Sequence, residues 1–205
     1  MSKSRFEAAS DGVFAIAITL LVLGLAVPVL QHPDEAVLSR KLLALWPSFL
    51  AYALSFAVVG IMWNNHHMLF RAVARLDRGT WLINILLLGI TAFIPFSTAV
   101  LGAYWWLRPA GVLYGLTLTA AACTYNVLLH HLIAHHAFRS DIPQSAIRQT
   151  VFHYFVGLVV YVSATVLAFF VPLVSFGLYW AITIYYFFPR GVDADIGESA
   201  ETGSP

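Results

Sequence analysis

The chain has a single cysteine, Cys123, so it can form no internal disulfide and no cysteine-based metal cluster. Charge is almost as scarce. Asp, Glu, Lys and Arg make up 10% of the 205 residues against 60% hydrophobic ones, and the mean hydropathy of +0.80 lies outside the range of soluble globular proteins. That length leaves room for one membrane unit and no separate soluble domain. The net charge of +1 says nothing about nucleic acid, and there is no basic run that would, so none is expected as a partner. No P-loop, dinucleotide fingerprint or Ser-His-Asp order is present. The second half does not repeat the first, so any ring symmetry must come from assembly of several chains. All ten Asp and Glu residues lie at edges or in loops rather than inside an apolar run. This argues against a proton-coupled transporter, which needs an ionisable group or a broken helix near the bilayer midplane.

What remains is a series of long apolar runs cut by charge. Gly12 to Leu30 holds 19 residues without a charge, enough to cross as one helix a hydrocarbon core of roughly 30 Å that needs about 20 residues. Its basic start resembles a signal peptide, but Asp11 and the length of the run fit a retained helix. The second run, Leu42 to Phe70, opens on Trp46-Pro47, with proline suited to a first turn. A third spans Gly79 to Leu107, and Pro95 is expected to kink it. The fourth covers Pro109 to Phe138. Gln149 to Pro189 contains 41 uncharged residues, two spans' worth, with turn chemistry at Pro172 to Gly177. The expectation is an all-α integral membrane protein with six transmembrane helices over residues 1–190. The acidic, small and polar residues 191–205 read as a disordered cytoplasmic tail.

Lysine and arginine placement orients the bundle. With the N-terminus inside, Lys3, Arg5, Arg71, Arg75, Arg78, Arg139, Arg148 and Arg190 are cytoplasmic, and Arg40, Lys41 and Arg108 are outside. Trp46, Trp105 and Trp106 then fall at the outer interface and Trp81 at the inner one. Both termini are expected in the cytoplasm.

The first run carries the most specific features. Ile16, Leu20 and Leu23 share one helical stripe, with Thr19 on its flank, while Arg5, Ser10 and Asp11 mark the membrane edge. Such a stripe fits either lipid contact and ordinary packing or a pore lining. Asp11 lies away from it around the helix, and a carboxylate there needs partners, for which Arg5, a histidine N–H and the Asn84 amide are suitable.

Arg5, Ala9, Ser10, Asp11 and Gly12, followed by VFAIAITLLVL, resemble the first helix of the transmembrane protein 175 potassium channel family, which opens on Arg-x-x-x-Phe-Ser-Asp. Ala9 replaces the motif's Phe, while Arg5, Ser10 and Asp11 stay in register. Trp63-Asn64-Asn65-His66-His67, Asn84 and Phe93-Ile94-Pro95-Phe96 agree as well. The resemblance covers the first half closely and the second half in hydropathy alone. It implies a potassium-preferring cation channel of the bacterial, single six-helix branch. This would be a homo-oligomer, by implication a homotetramer, in the bacterial inner membrane, with the first helix of each subunit lining the pore. It further implies an apolar constriction at Ile16, Leu20 and Leu23, a hydroxyl layer at Thr19, and a network of Arg5, Ser10, Asp11, His66, His67 and Asn84 that sets the rotation of the first helix. Its partners are then membrane lipid and permeant K+, with no cofactor, no bound metal and no enzymatic activity. Since no Thr-Val-Gly-Tyr-Gly carbonyl filter occurs, selectivity is expected to be modest.

The histidines support a rival. His131 and His135 stand at i, i+4 in His130-His131-Leu132-Ile133-Ala134-His135-His136, a metal-ligand spacing, and His66, His67 and His153 are expected near the same side. A histidine-box membrane di-iron enzyme would need about eight ligands in three spaced boxes. By resemblance this chain falls short of that, because His32 lies on the opposite side and no third box exists. A structural or pH-sensing role fits the cluster better.

Overall fold

A computed structural model describes residues 3–186. Seven α-helices run in order among the described residues: α1 Lys3–Leu20, α2 Glu35–Ala44, α3 Trp46–Arg71, α4 Arg78–Ala103, α5 Arg108–Ala134, α6 Gln144–Ala168 and α7 Pro172–Tyr186. No sheet occurs among them, and the one isolated antiparallel bridge pairs Val73 with Phe138. Among the described residues five helical segments are long and apolar enough to cross a membrane: Lys3–Gly24, Trp46–Arg71, Arg78–Ala103, Arg108–Ala134 and Gln144–Ala168. The protein is an all-α integral membrane protein. The tail expected at 191–205 lies outside the described residues.

Helix starts follow local chemistry. Pro47 and Pro109 occupy the first turns of α3 and α5, where a missing N–H costs nothing. Asp34 caps α2 by accepting from the Val37 amide at 2.8 Å, and Asp77 caps α4 through Thr80. α4 continues through Pro95.

Three boundaries differ from the sequence expectation. The first span does not run from Gly12 to Leu30: α1 ends at Leu20, a 3₁₀ turn covers Leu21–Gly24, and Leu25 is extended. Gly24 packs so closely on α4 that a Cβ there would lie 3.1 Å from Ala99 Cβ. No helix resumes before Glu35. The span is made up instead at its N-terminal end, back to Lys3. Second, α2 is an additional short helix with no buried residue, in a stretch the charge pattern marked only as a gap. Third, the last apolar block breaks at Phe169–Val171 rather than at Pro172–Gly177. The amides of Phe170 and Val171 both close on the Leu167 carbonyl, and Pro172 opens α7 instead of turning the chain.

The two largest helix interfaces join α4 to α5 and α5 to α6, while α1 lies against α3 and α4. One buried cluster gathers Phe14, Leu21, Leu54, Ile94, Tyr114 and Tyr179; a second gathers Phe6, Phe70, Leu87, Tyr125, Leu128 and Leu132. Lipid hydrocarbon attracts apolar side chains as strongly as the interior does, so close approach and polar pairing must select the packing. Gly102 illustrates the first: a Cβ there would sit 2.8 Å from the Ser48 Cα. The second is met by a buried trio linking α3, α4 and α5, with the hydroxyls of Ser55 and Thr98 2.7 Å apart and those of Ser55 and Tyr114 3.0 Å apart.

Candidate functional site

α1 has two unlike faces. Phe6, Ser10, Phe14 and Ala17 recur at helical spacing and are buried against α3 and α4, and Leu21 extends that face into the 3₁₀ turn. Ile16, Thr19, Leu20 and Leu23 all point out of the protomer, Ile16 at 60% exposure and Leu23 at 75%. Leu23 belongs to the 3₁₀ turn, so the outward stripe outlasts the α-helix that begins it. The Thr19 hydroxyl donates to the Ile16 carbonyl at 2.9 Å. Its proton is thereby turned inward along the helix, and the oxygen lone pairs are left facing out.

A buried chain of hydrogen bonds ties the other face of α1 to α3 and α4. Ser10 Oγ donates to the Phe6 carbonyl at 3.0 Å and accepts from Asn84 Nδ2 at 3.0 Å. Asn84 Oδ1 lies 2.8 Å from His66 Nε2. A carboxamide oxygen only accepts, so His66 carries its proton on Nε2 and donates. Ser10 is 0%, His66 1% and Asn84 3% exposed. Aromatic rings enclose it: Phe6, Phe14 and Phe70 stand 6.3, 5.3 and 4.5 Å from the His66 ring centroid.

The expected six-residue network is thus smaller than proposed from sequence. The structure joins Ser10, His66 and Asn84, but Arg5 and His67 are exposed and take no part. Asp11 is satisfied elsewhere: its Oδ1 accepts from the Trp63 indole Nε1 at 2.8 Å, neither Arg5, a histidine nor Asn84 reaching it. Trp63 was legible only as part of a Trp-Asn-Asn-His-His string. Its role rests on α3 running antiparallel to α1, which places a residue one turn before His66 beside the residue following Ser10.

The other histidines separate. His153 Nδ1 pairs with the Tyr185 hydroxyl at 2.7 Å, whereas His131 Nε2 lies 3.0 Å from each carboxylate oxygen of Asp77. Asp77 was not picked out from sequence, although its place as the α4 cap is readable from Asp-Arg-Gly-Thr. With His66 committed to Asn84, the histidines do not converge on one di-iron centre.

Comparison with known proteins gives the chain a family. The family model described as endosomal/lysosomal potassium channel TMEM175 matches residues 5–95, the segment holding α1, the Ser10–Asn84–His66 relay and the outward stripe. The chain is 39% identical over 191 residues to a potassium channel of Streptomyces collinus, covering 90% of this chain and 91% of that one. It is 40% identical over 191 residues to a potassium channel of Chamaesiphon minutus, covering 89% and 92%. Its fold matches the crystal structure of a lysosomal potassium-selective channel TMEM175 homolog from Chamaesiphon minutus with a TM-score of 0.80 and 37% identity, over 90% of this chain and 96% of the other. These relatives are named as channels rather than enzymes. The chain belongs to the TMEM175 family.

Proposed function

We propose that the protein is a passive, potassium-preferring cation channel in which α1 of each subunit lines a central pore of a homo-oligomer. Four copies related by rotational symmetry form a closed ring. Ile16, Leu20 and Leu23 supply its constriction and Thr19 an adjacent layer of hydroxyl oxygens. The domain comprises six spans over residues 1–190 in the bacterial inner membrane, with both termini cytoplasmic by the positive-inside bias.

One observation carries the reading: an anchored helix presents a stripe of branched apolar groups and one hydroxyl away from its own protomer. When copies of that stripe surround an axis, the throat is too narrow and too apolar to stay wet, and ions meet a barrier. A slight outward tilt of α1 rewets it. Thr19 oxygens then stand in for part of a cation's hydration shell, and potassium, which sheds water more readily than sodium, gains more. The amount gained is small, because four hydroxyls replace less of the shell than rings of carbonyls do.

Potassium flux in liposomes holding the purified chain, with sodium and proton-gradient controls, tests this. Potassium flux exceeding sodium flux is expected; liposomes as tight as protein-free ones overturn the reading. Distances between spin labels at position 16 separate a pore lining, with short adjacent and diagonal inter-subunit distances, from lipid contact, where labels lie far apart.

A further inference from the structure

We propose that Asp77, His131 and His135 form a binding site for one divalent transition-metal ion of the zinc class, at the end of the bundle where α4 begins and α5 ends. One ligand atom from each side chain lies within 4.8 Å of the other two. Two imidazoles and a carboxylate, without a thiolate, suit Zn2+, Co2+ or Ni2+, whereas Mg2+ and Ca2+ prefer all-oxygen shells. Three protein ligands leave a coordination position for water.

Each donor is already held by a neighbour that a metal would not displace. His135 Nδ1 donates to the His131 carbonyl at 2.9 Å, which leaves Nε2 as its lone-pair nitrogen. A ligating histidine commonly has this hydrogen bond on its other nitrogen. Asp77 Oδ1 accepts from the Thr80 amide at 2.7 Å and the Thr80 hydroxyl at 2.6 Å, fixing the plane of the carboxylate. The His131 ring fits because residue 79 is glycine: a Cβ there would come 2.5 Å from its Cε1. The two imidazoles lie with centroids 4.1 Å apart.

The backbones bearing these donors are tied together as well. Ala74 N donates to the Ala137 carbonyl at 2.8 Å and Arg139 N to the Ala72 carbonyl at 2.9 Å, beside the Val73–Phe138 bridge. The α3–α4 and α5–α6 connections are therefore braced within a few residues of the cluster. The present Nε2–H contact of His131 with Asp77 gives way on binding: the ring carries its one proton on Nδ1 instead, and His131 Nε2 and Asp77 both turn their lone pairs to the ion. The ion would then bolt the first turn of α4 to the last of α5. Seven residues into α4 stands Asn84, which holds Ser10 of α1.

The test uses the full chain purified in detergent, free of affinity-tag histidines and stripped with a chelator. Co2+ is followed by its visible absorption and Zn2+ by calorimetry. About one ion per chain is expected. His135→Ala, which removes an exposed side chain and leaves the Asp77–His131 pair standing, should weaken binding about tenfold or more. His130→Ala and His136→Ala should bind as the unaltered chain does, and excess Mg2+ should not compete. An unaltered chain that takes up no ion, a His135→Ala variant of unchanged affinity, or equal losses in all three variants would each overturn the site.

Discussion

The Asn84 amide nitrogen reaches the Ser10 hydroxyl across 3.0 Å, a buried contact that joins α4 to the inward face of α1. Asn84→Leu keeps the volume but strands His66 Nε2 in an apolar surrounding, while Ser10 Oγ keeps its bond to the Phe6 carbonyl. The stranded donor costs about 1–3 kcal/mol. The melting temperature in detergent should drop well below that of the unaltered chain. His66→Ala, which removes the ring but leaves Asn84 bonded to Ser10, should keep α1 rotation as judged by labels at position 16.

Asp11 depends on one indole. Trp63→Phe retains an aromatic ring at the α3 surface and deletes the donor, so any loss reports the 2.8 Å hydrogen bond. About 1 kcal/mol of stability is expected, since the carboxylate is half-buried and water takes part of the contact. A double-mutant cycle with Asp11→Asn measures the coupling, and a coupling indistinguishable from zero would show that water replaces the indole fully.

The bilayer made most of this architecture readable in advance. A hydrocarbon slab tolerates only long apolar helices, so the apolar runs announce themselves by length, and polar side chains inside them need partners. Where that constraint lapses, tertiary contacts decide. The end of α1 is decided by Gly24 lying on Ala99, a tertiary contact, and α2 sits outside any slab. Pro172 was read as a turn residue, yet the same first-turn logic that fits Pro47 makes it a helix start. Asp11 and Trp63 are 52 residues apart, and Asp77 and His131 54, so neither pairing has a local signature.

On the outward stripe, size and polarity should act in opposite directions from the anchored face. Leu23→Ala or Ile16→Asn widens or wets the proposed throat and should raise potassium flux in liposomes, whereas Thr19→Ala should erode potassium preference over sodium with total flux less affected. Stability should barely move, because these side chains make little contact within the protomer. Alanine at Leu21, on the buried face one residue from Leu20, should instead cost about 2–5 kcal/mol.

Gly115 on α5 faces the Tyr179 hydroxyl and Thr165, and Tyr179 reaches on to donate to the Gly111 carbonyl at 3.2 Å. An added methyl at 115 must push Tyr179 aside and break that bond. Gly115→Ala should therefore lower stability by about 1–3 kcal/mol. Restoring part of the loss by pairing it with Tyr179→Phe, read from the melting temperatures of the single and double variants, identifies the hydroxyl as the group in collision.

Acid should reveal how the α4 cap is held. The Thr80 hydroxyl and amide, and after them His131, favour the charged form of Asp77 and hold its carboxyl well below the usual carboxylate range. A carboxylate with a depressed value stabilises the folded state above its ordinary, unfolded value near 4, and that contribution fades as pH falls through the lower folded value. Asp77→Asn keeps a capping side chain but removes the charge. The melting-temperature gap between the unaltered chain and Asp77→Asn should thus be steady from neutral pH down to about pH 5 and shrink below about pH 4. Since Asp77 is largely open to solvent, the gap should correspond to only about 0.5 kcal/mol and diminish in high salt. Thr80→Ala removes the largest of the three influences, so in that background the loss of stability on acidification should begin at a higher pH. A gap that instead widened on acidification would mean that His131, rather than Thr80, governs the carboxylate.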